Sequence, residues 1–296
     1  MKPEQKSEQQ RGNDMLTDKK VAFIGAGSMA EAMIAGIVNS GLVRPEQVIA
    51  SNKSNHQRLI ELEVQYGIQG VPKEELDLHE IDIIFMAMKP KDAETALRSL
   101  KQELRQDQLV LSVLAGISTS FMENNLPTGQ QVIRVMPNTS SMIGESATAL
   151  SPGTYTTQTN IILAKKLLGC IGKVFIIRED EMDIFTGIAG SGPAYFYYLM
   201  EHMEKAVLGS GLDEEMTRQI IAQTMVGAAR MIQNRDESPA ELRKKVTSPN
   251  GTTAAGLDAL SSHGGGNAIS EAVKHAANRS KEISLQLENH QLEPIK

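Results

Sequence analysis

Apolar positions along the chain follow two different rhythms. Between residues 20 and 180, short apolar runs alternate with amphipathic stretches. The runs are VAFIG (21–25), VIASN (48–52), IDIIFMAMK (81–89), QLVLSVLAG (108–116), QVIRVMPN (131–138), ATAL (147–150) and KVFIIR (173–178). Most carry β-branched residues and end in Gly, Pro, Asn or Ser. Continuous apolarity, rather than strict alternation, marks strands covered on both faces, and strand–helix–strand repetition predicts a doubly wound, mostly parallel sheet. Beyond residue 180 no strand run appears, and helical patterns take over. One runs from Pro193 to the turn at Gly209 and Gly211, and the next from Asp213 to about residue 233. A short helix is opened by the capping box Ser238-Pro239-Ala240-Glu241, another begins at Thr252 or Thr253, and a last one spans about 267–288. The predicted plan is an α/β domain over 20–180 followed by an all-helical domain over 181–290.

The helix after Asp213 places Ile220, Ile221, Thr224, Met225, Ala228, Met231 and Ile232 on one broad face, and its remaining surface is weakly polar. Burial on more than one side is expected, which points to a homodimer or a higher homo-oligomer. Residues 1–19 are polar, lack the apolar centre of a secretory signal, and read as a disordered extension outside the fold. No apolar run reaches 18 residues, so no membrane span is expected. A formal charge of -6 gives no electrostatic case for nucleic acid or an anionic membrane surface. The single cysteine, Cys170, lies in the apolar LLGCIG and reads as core; its lack of a partner suits a reducing, cytoplasmic setting.

The sharpest local signal is Gly25-Ala26-Gly27-Ser28-Met29-Ala30, set between the first strand and an amphipathic helix. In that context it reads as the dinucleotide-binding turn of a Rossmann-type domain. Gly25 allows the tight turn, Gly27 lets the backbone approach a pyrophosphate, and Ala30 lets helix and strand pack closely. The free N–H groups and dipole of the helix then face the phosphates. The second strand ends in Ser51-Asn52-Lys53-Ser54, where an NAD site would carry Asp or Glu. A hydroxyl, an amide and an ammonium suit a 2′-phosphate instead, so NADP(H) is the expected cofactor, with NADH left open as a second donor.

Ligands of such sheets lie beyond the carboxyl ends of the strands. Those ends are Ala87-Met88-Lys89-Pro90, Ala115-Gly116 and Pro137-Asn138, which together would shape a cofactor cleft. Two further stretches each precede a helix: Gly190-Ser191 within GIAGSGPA, and Ser248-Pro249-Asn250-Gly251-Thr252-Thr253. Both offer backbone N–H groups at a helix start, where a small carboxylate could sit; a capped turn is the plainer reading of either alone. The histidines His56, His79, His202, His263, His275 and His290 lie in polar or helical contexts outside these motifs. No His/Cys/Asp spacing suggests a metal.

Taken in order, IGAGSMAEAM, AMKP, LSVLAGIS, RVMPNTS, GSGPAY and TSPNGTTAAGL strongly resemble the pyrroline-5-carboxylate reductase family over about residues 20–285. The resemblance implies NAD(P)H-dependent reduction of the cyclic imine 1-pyrroline-5-carboxylate to L-proline, the last step of proline biosynthesis. It also implies a helical domain that interlocks into dimers. Residues 25–30 would take the pyrophosphate, Ser51, Asn52 and Lys53 the ribose with its 2′-phosphate, and the three later strand ends the ribose and nicotinamide. The loop from Ser248 through Asn250, Gly251 and Thr252 would hold the substrate carboxylate, with Gly190 and Ser191 nearby. Thr253 would hydrogen-bond the ring nitrogen, the one catalytic assignment. Three positions depart from the family pattern: Ser140 for proline, Lys244 for an acid, and Asn250 for glycine, so Asn250 must tolerate a backbone conformation that favours glycine. A β-hydroxyacid dehydrogenase shares the two-domain plan, but its lysine-bearing helix here reads PAYFYYLM. Another imine reductase and a non-catalytic NADPH-binding regulator complete the alternatives.

Overall fold

The structure, a computed structural model, describes residues 16–290. Contacts divide the chain into two compact units, the residues up to Gly190 with those from Ala276 onward, and Ser191–His275. The first unit is built on one sheet. Its strands are β1 (Val21–Ile24), β2 (Val48–Asn52), β3 (Gln69–Pro72), β4 (Ile83–Met86), β5 (Leu109–Ser112), β6 (Gln131–Met136), β7 (Ser146–Pro152) and β8 (Gly172–Ile176), in the order 3-2-1-4-5-6-7-8. All neighbours run parallel except β6 and β7. Between the strands lie α1 (Ser28–Asn39), α2 (His56–Tyr66), α3 (Ala93–Leu100), α4 (Thr119–Asn125) and α5 (Gln158–Leu168).

The continuous apolar runs are explained by burial on both faces. Val21, Phe23, Ile83, Phe85, Leu109 and Leu111 belong to one buried cluster, and the alternate residues Ala22, Ile24, Ile84, Met86 and Val110 to another. The β1–β4 register sets Phe23 opposite Phe85, and their rings stack at 4.5 Å with planes 5° apart. Such an aromatic pair adds on the order of 1 kcal/mol to its area burial. Cys170 is part of this packing. Its Sγ donates to the Leu167 carbonyl at 2.7 Å, and burial pushes the thiol up to about 12, so it stays protonated and unreactive at neutral pH.

Two sequence expectations need correction. Leu16 is fully buried in the first cluster, and the Gln47 side chain donates to the carbonyls of Thr17 and Lys19 at 3.0 and 2.9 Å. Residues 16–19 therefore pack against the sheet instead of belonging to a free extension; residues 1–15 lie outside the described part. Second, the sequence reading has no strand at 69–72. QGVP pairs with β2 at the sheet edge, where a proline removes no ladder bond that a neighbour needs.

On β6 the buried Arg134 stands opposite Ser112 and Ser151, and its Nη1 pairs with Glu179 Oε1 at 2.7 Å. Glu179 opens the segment that contains α6 (Met182–Phe185) and the π-helical turn Thr186–Gly190. Asn138 Nδ2 donates to the Ala189 carbonyl at 3.0 Å, so β6 and the strand end after it grip this segment at two points.

The second unit contains α7 (Gly192–Ala206), α8 (Glu214–Asn234), α9 (Pro239–Lys245), α10 (Thr252–Ser262) and the first part of α11 (Gly265–His290). Ser238 caps α9 through its hydroxyl, and Glu241 returns the bond to the Ser238 N–H, as the capping box predicts. These helices bury little on their own. Ile221 is the buried large hydrophobic of α8, while Phe196, Tyr197 and Tyr198 on α7 and Met216, Ile220 and Met231 on α8 are exposed.

Candidate active site

The first unit carries a cleft of about 1070 Å³ at the carboxyl ends of β1, β2 and β4. The glycine turn forms its floor. Gly25 has φ +111°, and a Cβ there would lie 2.5 Å from the Ala87 carbonyl carbon and oxygen, so both conformation and space demand glycine. Its N–H donates to the Ser51 carbonyl at 2.8 Å, and the Ala87 N–H to the Ile24 carbonyl at 2.9 Å. The three strand ends are thereby held in one plane of hydrogen bonds.

Gly27 is different. Its φ of -78° suits any residue, and a Cβ there would meet no protein atom within 4 Å. The demand for glycine comes from whatever approaches the backbone, which fits a pyrophosphate. Gly27 caps α1 without a side-chain bond, leaving the first amides of the helix free to face an anion. Ala30 is fully buried behind the turn, in the packing role expected of it. Ser51 supplies a second sign of fit: it lines the cleft, is buried, and its hydroxyl has no partner. An orphaned buried hydroxyl costs on the order of 1–3 kcal/mol unless a ligand completes it. A nucleotide ribose would do so.

Gly25, Ala26, Gly27, Ser28, Met29, Ser51, Asn52, Lys53, Ala87, Met88 and Lys89 all line this cleft. Pro90 starts the short 3-10 turn that follows. The remaining expected residues lie elsewhere in the unit: Ala115 is exposed, and Gly116 is buried, its Cβ direction facing Leu287 and Ile283 of α11. Pro137 and Asn138 are buried at the end of β6. The structure adds residues that the sequence reading did not name, chiefly Arg58, Lys73 and Lys91. With Lys53 and Lys89 they make the lining predominantly cationic, against Asp92, in a chain of formal charge -6. Arg58 sits in the first turn of α2, capped by Asn55, and a helix that follows β2 necessarily starts beside the cleft. Lys73 follows β3, and missing that strand hid it.

In the second unit, residues 248–253 form one tight turn. The Gly251 N–H donates to the Ser248 carbonyl at 3.1 Å, and a Cβ on Gly251 would lie 2.4 Å from Ser248 Oγ. Asn250 has φ 59°, and among the described residues it is the one non-glycine residue at positive φ. The conformation required of the departure from glycine is thus present. Gly251 caps α10 with no side-chain bond, so the leading amides of Thr252 and Thr253 stay available, and both threonines are exposed. Asn250→Gly is expected to leave stability unchanged or slightly raised, whereas Asn250→Ala should cost about 1 kcal/mol, the penalty of a left-handed conformation without asparagine's local hydrogen bonding. Urea midpoints of the two variants check this. Gly190 ends the π-helical turn, and Ser191 is the N-cap of α7 without a side-chain bond; π turns recur at functional sites.

Comparison with known proteins gives this geometry its context. Residues 179–283 match the model described as pyrroline-5-carboxylate reductase dimerisation, and residues 20–116 that described as NADP oxidoreductase, coenzyme F420-dependent. Pyrroline-5-carboxylate reductase 1 of Bacillus subtilis is 58% identical over 274 residues, covering 93% of this chain and 92% of that protein. The chain belongs to the pyrroline-5-carboxylate reductase family. Solved reductases of the family share its fold. The enzyme from Coxiella burnetii has a TM-score of 0.83 at 29% identity, covering 90% of this chain and 99% of that one. The Plasmodium falciparum reductase, solved with NADP bound, has a TM-score of 0.81 at 26% identity, covering 91% and 99%.

Proposed function

We propose that this chain reduces 1-pyrroline-5-carboxylate to L-proline with NADPH, the closing step of proline biosynthesis. The observation that carries the reading is the pairing, in one family member, of a cationic dinucleotide cleft with a separate amide-rich turn suited to a small carboxylate. The nucleotide is held by residues 25–30 at the pyrophosphate and by Ser51, Asn52 and Lys53 at the ribose and 2′-phosphate. Ala87 to Pro90, Ala115-Gly116 and Pro137-Asn138 serve the nicotinamide half. When bound, NADPH supplies the hydride. The chain's own residues bind and orient.

The carboxylate of the imine rests on the N–H groups of the 248–253 turn at the start of α10, supported by the hydroxyls of Ser248 and Thr252. A cyclic imine accepts hydride most readily as the iminium, and the Thr253 hydroxyl keeps the ring nitrogen in register with a proton drawn from solvent. Thr253→Ala should lower kcat/KM for the imine by about tenfold, within the cost of leaving one polar group unpaired, while NADPH affinity stays unchanged. Steady-state kinetics with a parallel NADPH titration measure both. Unaltered turnover would remove Thr253 from the mechanism.

We place the nucleotide-binding function in 20–180 and the substrate and dimer contacts in 181–290. The exposed aromatic and methionine faces of α7 and α8 find their cover in a second copy of the chain, which makes the enzyme a homodimer or a multiple of one. A cytoplasmic site of action accords with its single thiol and with the NADPH pool it draws on. NADPH oxidation in the presence and absence of 1-pyrroline-5-carboxylate tests the activity, and NADPH binding with no oxidation in either would leave only a nucleotide-binding protein.

A further inference from the structure

Arg58 touches three separate parts of the first unit. Its Nε donates to the Ala26 carbonyl at 3.3 Å, its Nη1 to Glu61 Oε2 at 3.0 Å, and its Nη2 to Glu31 Oε2. Ala26 is the second residue of the glycine turn, and Glu31 lies in the first turn of α1, whose leading amides face the cleft. Arg58 thus links the turn, the phosphate-facing helix and its own helix α2 by one guanidinium.

Glu31 is an awkward neighbour for a pyrophosphate. A carboxylate in the first turn favours the helix dipole, but it also places negative charge within one turn of amides that must accept a dianion. Its two oxygens are both occupied: Oε2 by Arg58 and Oε1 by the Tyr66 hydroxyl at 3.3 Å. Tyr66 is in turn held by Gln65 Nε2 at 2.9 Å. Burial first, and the Glu31 charge second, push the Tyr66 hydroxyl above its ordinary range, so it remains a donor. Both Arg58 and Glu31 are about one-quarter exposed, which leaves their pairing only partly screened by water.

We infer that Arg58 is a positioning residue for the dinucleotide: it fixes the Ala26 peptide of the glycine turn and neutralises Glu31, so that the pyrophosphate of NADPH and of NADH alike depends on it. The inference rests on the cleft being the cofactor site, and it differs from a contact with the 2′-phosphate, which would concern NADPH alone. Arg58 itself is silent on which nucleotide is preferred; that choice falls to Lys53 and the end of β2.

The experiment uses the full chain and measures Kd for NADPH and NADH, kcat, KM and thermal midpoint. Arg58→Met should weaken both nucleotides by the same factor, about tenfold, with kcat at saturating nucleotide little altered. Adding Glu31→Gln to that variant should restore most of the lost affinity, because the uncompensated carboxylate is gone. Arg58→Lys, which keeps a charge but not the three-way fork, should fall between wild type and Arg58→Met and serves as the measurement if the methionine variant does not fold. A loss confined to NADPH, the absence of rescue by Glu31→Gln, or a lowered midpoint with both Kd values unchanged would each overturn the inference. Lys53→Glu keeps the two readings apart. If it weakens NADPH over NADH while Arg58→Met changes neither, only the role of Arg58 is wrong; if neither variant affects either nucleotide, the cleft is not the cofactor site.

Discussion

Gly25→Ala is expected to destabilise the chain by about 3 kcal/mol and to abolish measurable NADPH binding. The backbone term is on the order of 1–2 kcal/mol for a side chain at positive φ, and forcing a methyl group into occupied space adds roughly 1–3 kcal/mol. The space is occupied by backbone, since the Ala87 carbonyl lies 2.5 Å from the added Cβ and cannot rotate away as a side-chain tip would. Relief requires β4 and β1 to part at their carboxyl ends, which removes the bonds that hold Ala87 and Ser51 to the turn. Gly27→Ala, two residues on, is the control. Its φ suits alanine and its Cβ meets no protein atom, so the urea midpoint should not move, yet NADPH should bind at least tenfold more weakly. Denaturant melts and fluorescence titrations of the two variants make the comparison. Equal loss of stability in both, or full NADPH affinity in Gly27→Ala, would mean that the turn serves packing alone.

The second large effect concerns the ion pair between Arg134 on β6 and Glu179. Arg134 has a side chain only 4% exposed, whereas Glu179 retains 31%. Removing the carboxylate strands a buried guanidinium whose Nε and Nη2 already lack partners, and Glu179→Ala should cost about 3–5 kcal/mol. Arg134→Met leaves a carboxylate whose Oε2 is buried without a partner, but on a side chain 31% exposed, so its cost should be smaller, near 2 kcal/mol. The double variant Arg134→Met/Glu179→Leu replaces the pair by apolar groups of similar size and should recover most of the loss. A double variant as unstable as the sum of the singles would show that the two residues act independently. Urea denaturation of the four proteins closes the cycle.

Much of this arrangement can be read in the sequence because local physics decides it. The glycine turn, the capping box at Ser238 and the left-handed position at Asn250 each depend on a few neighbouring residues, and each is where those residues put it. The sheet was legible for a related reason: strands buried on both faces must be apolar throughout. What escaped depends on distant partners. QGVP carries Gly and Pro, which favour turns over strands, and it becomes β3 only because β2 offers it an edge. Leu16 looks like part of a polar tail until Gln47 and the first core cluster are placed beside it. Arg58 is one basic residue among many on helices, and only the meeting of α2 with the turn after β1 gives it three acceptors. In the helical unit, the apolar faces of α7 and α8 were plain, but a single chain gives them no cover, so periodicity alone located the surface and not its partner.

The reaction is hydride delivery from NADPH to the imine carbon of a carboxylate-bearing ring. It is tested most directly with NADPH deuterated at the transferable nicotinamide position, 1-pyrroline-5-carboxylate as substrate, and mass analysis of the product. The expected product is L-proline carrying one deuterium at the δ carbon, one molecule for each NADPH oxidised. NADPH that binds in the cleft but passes no label to proline would contradict it.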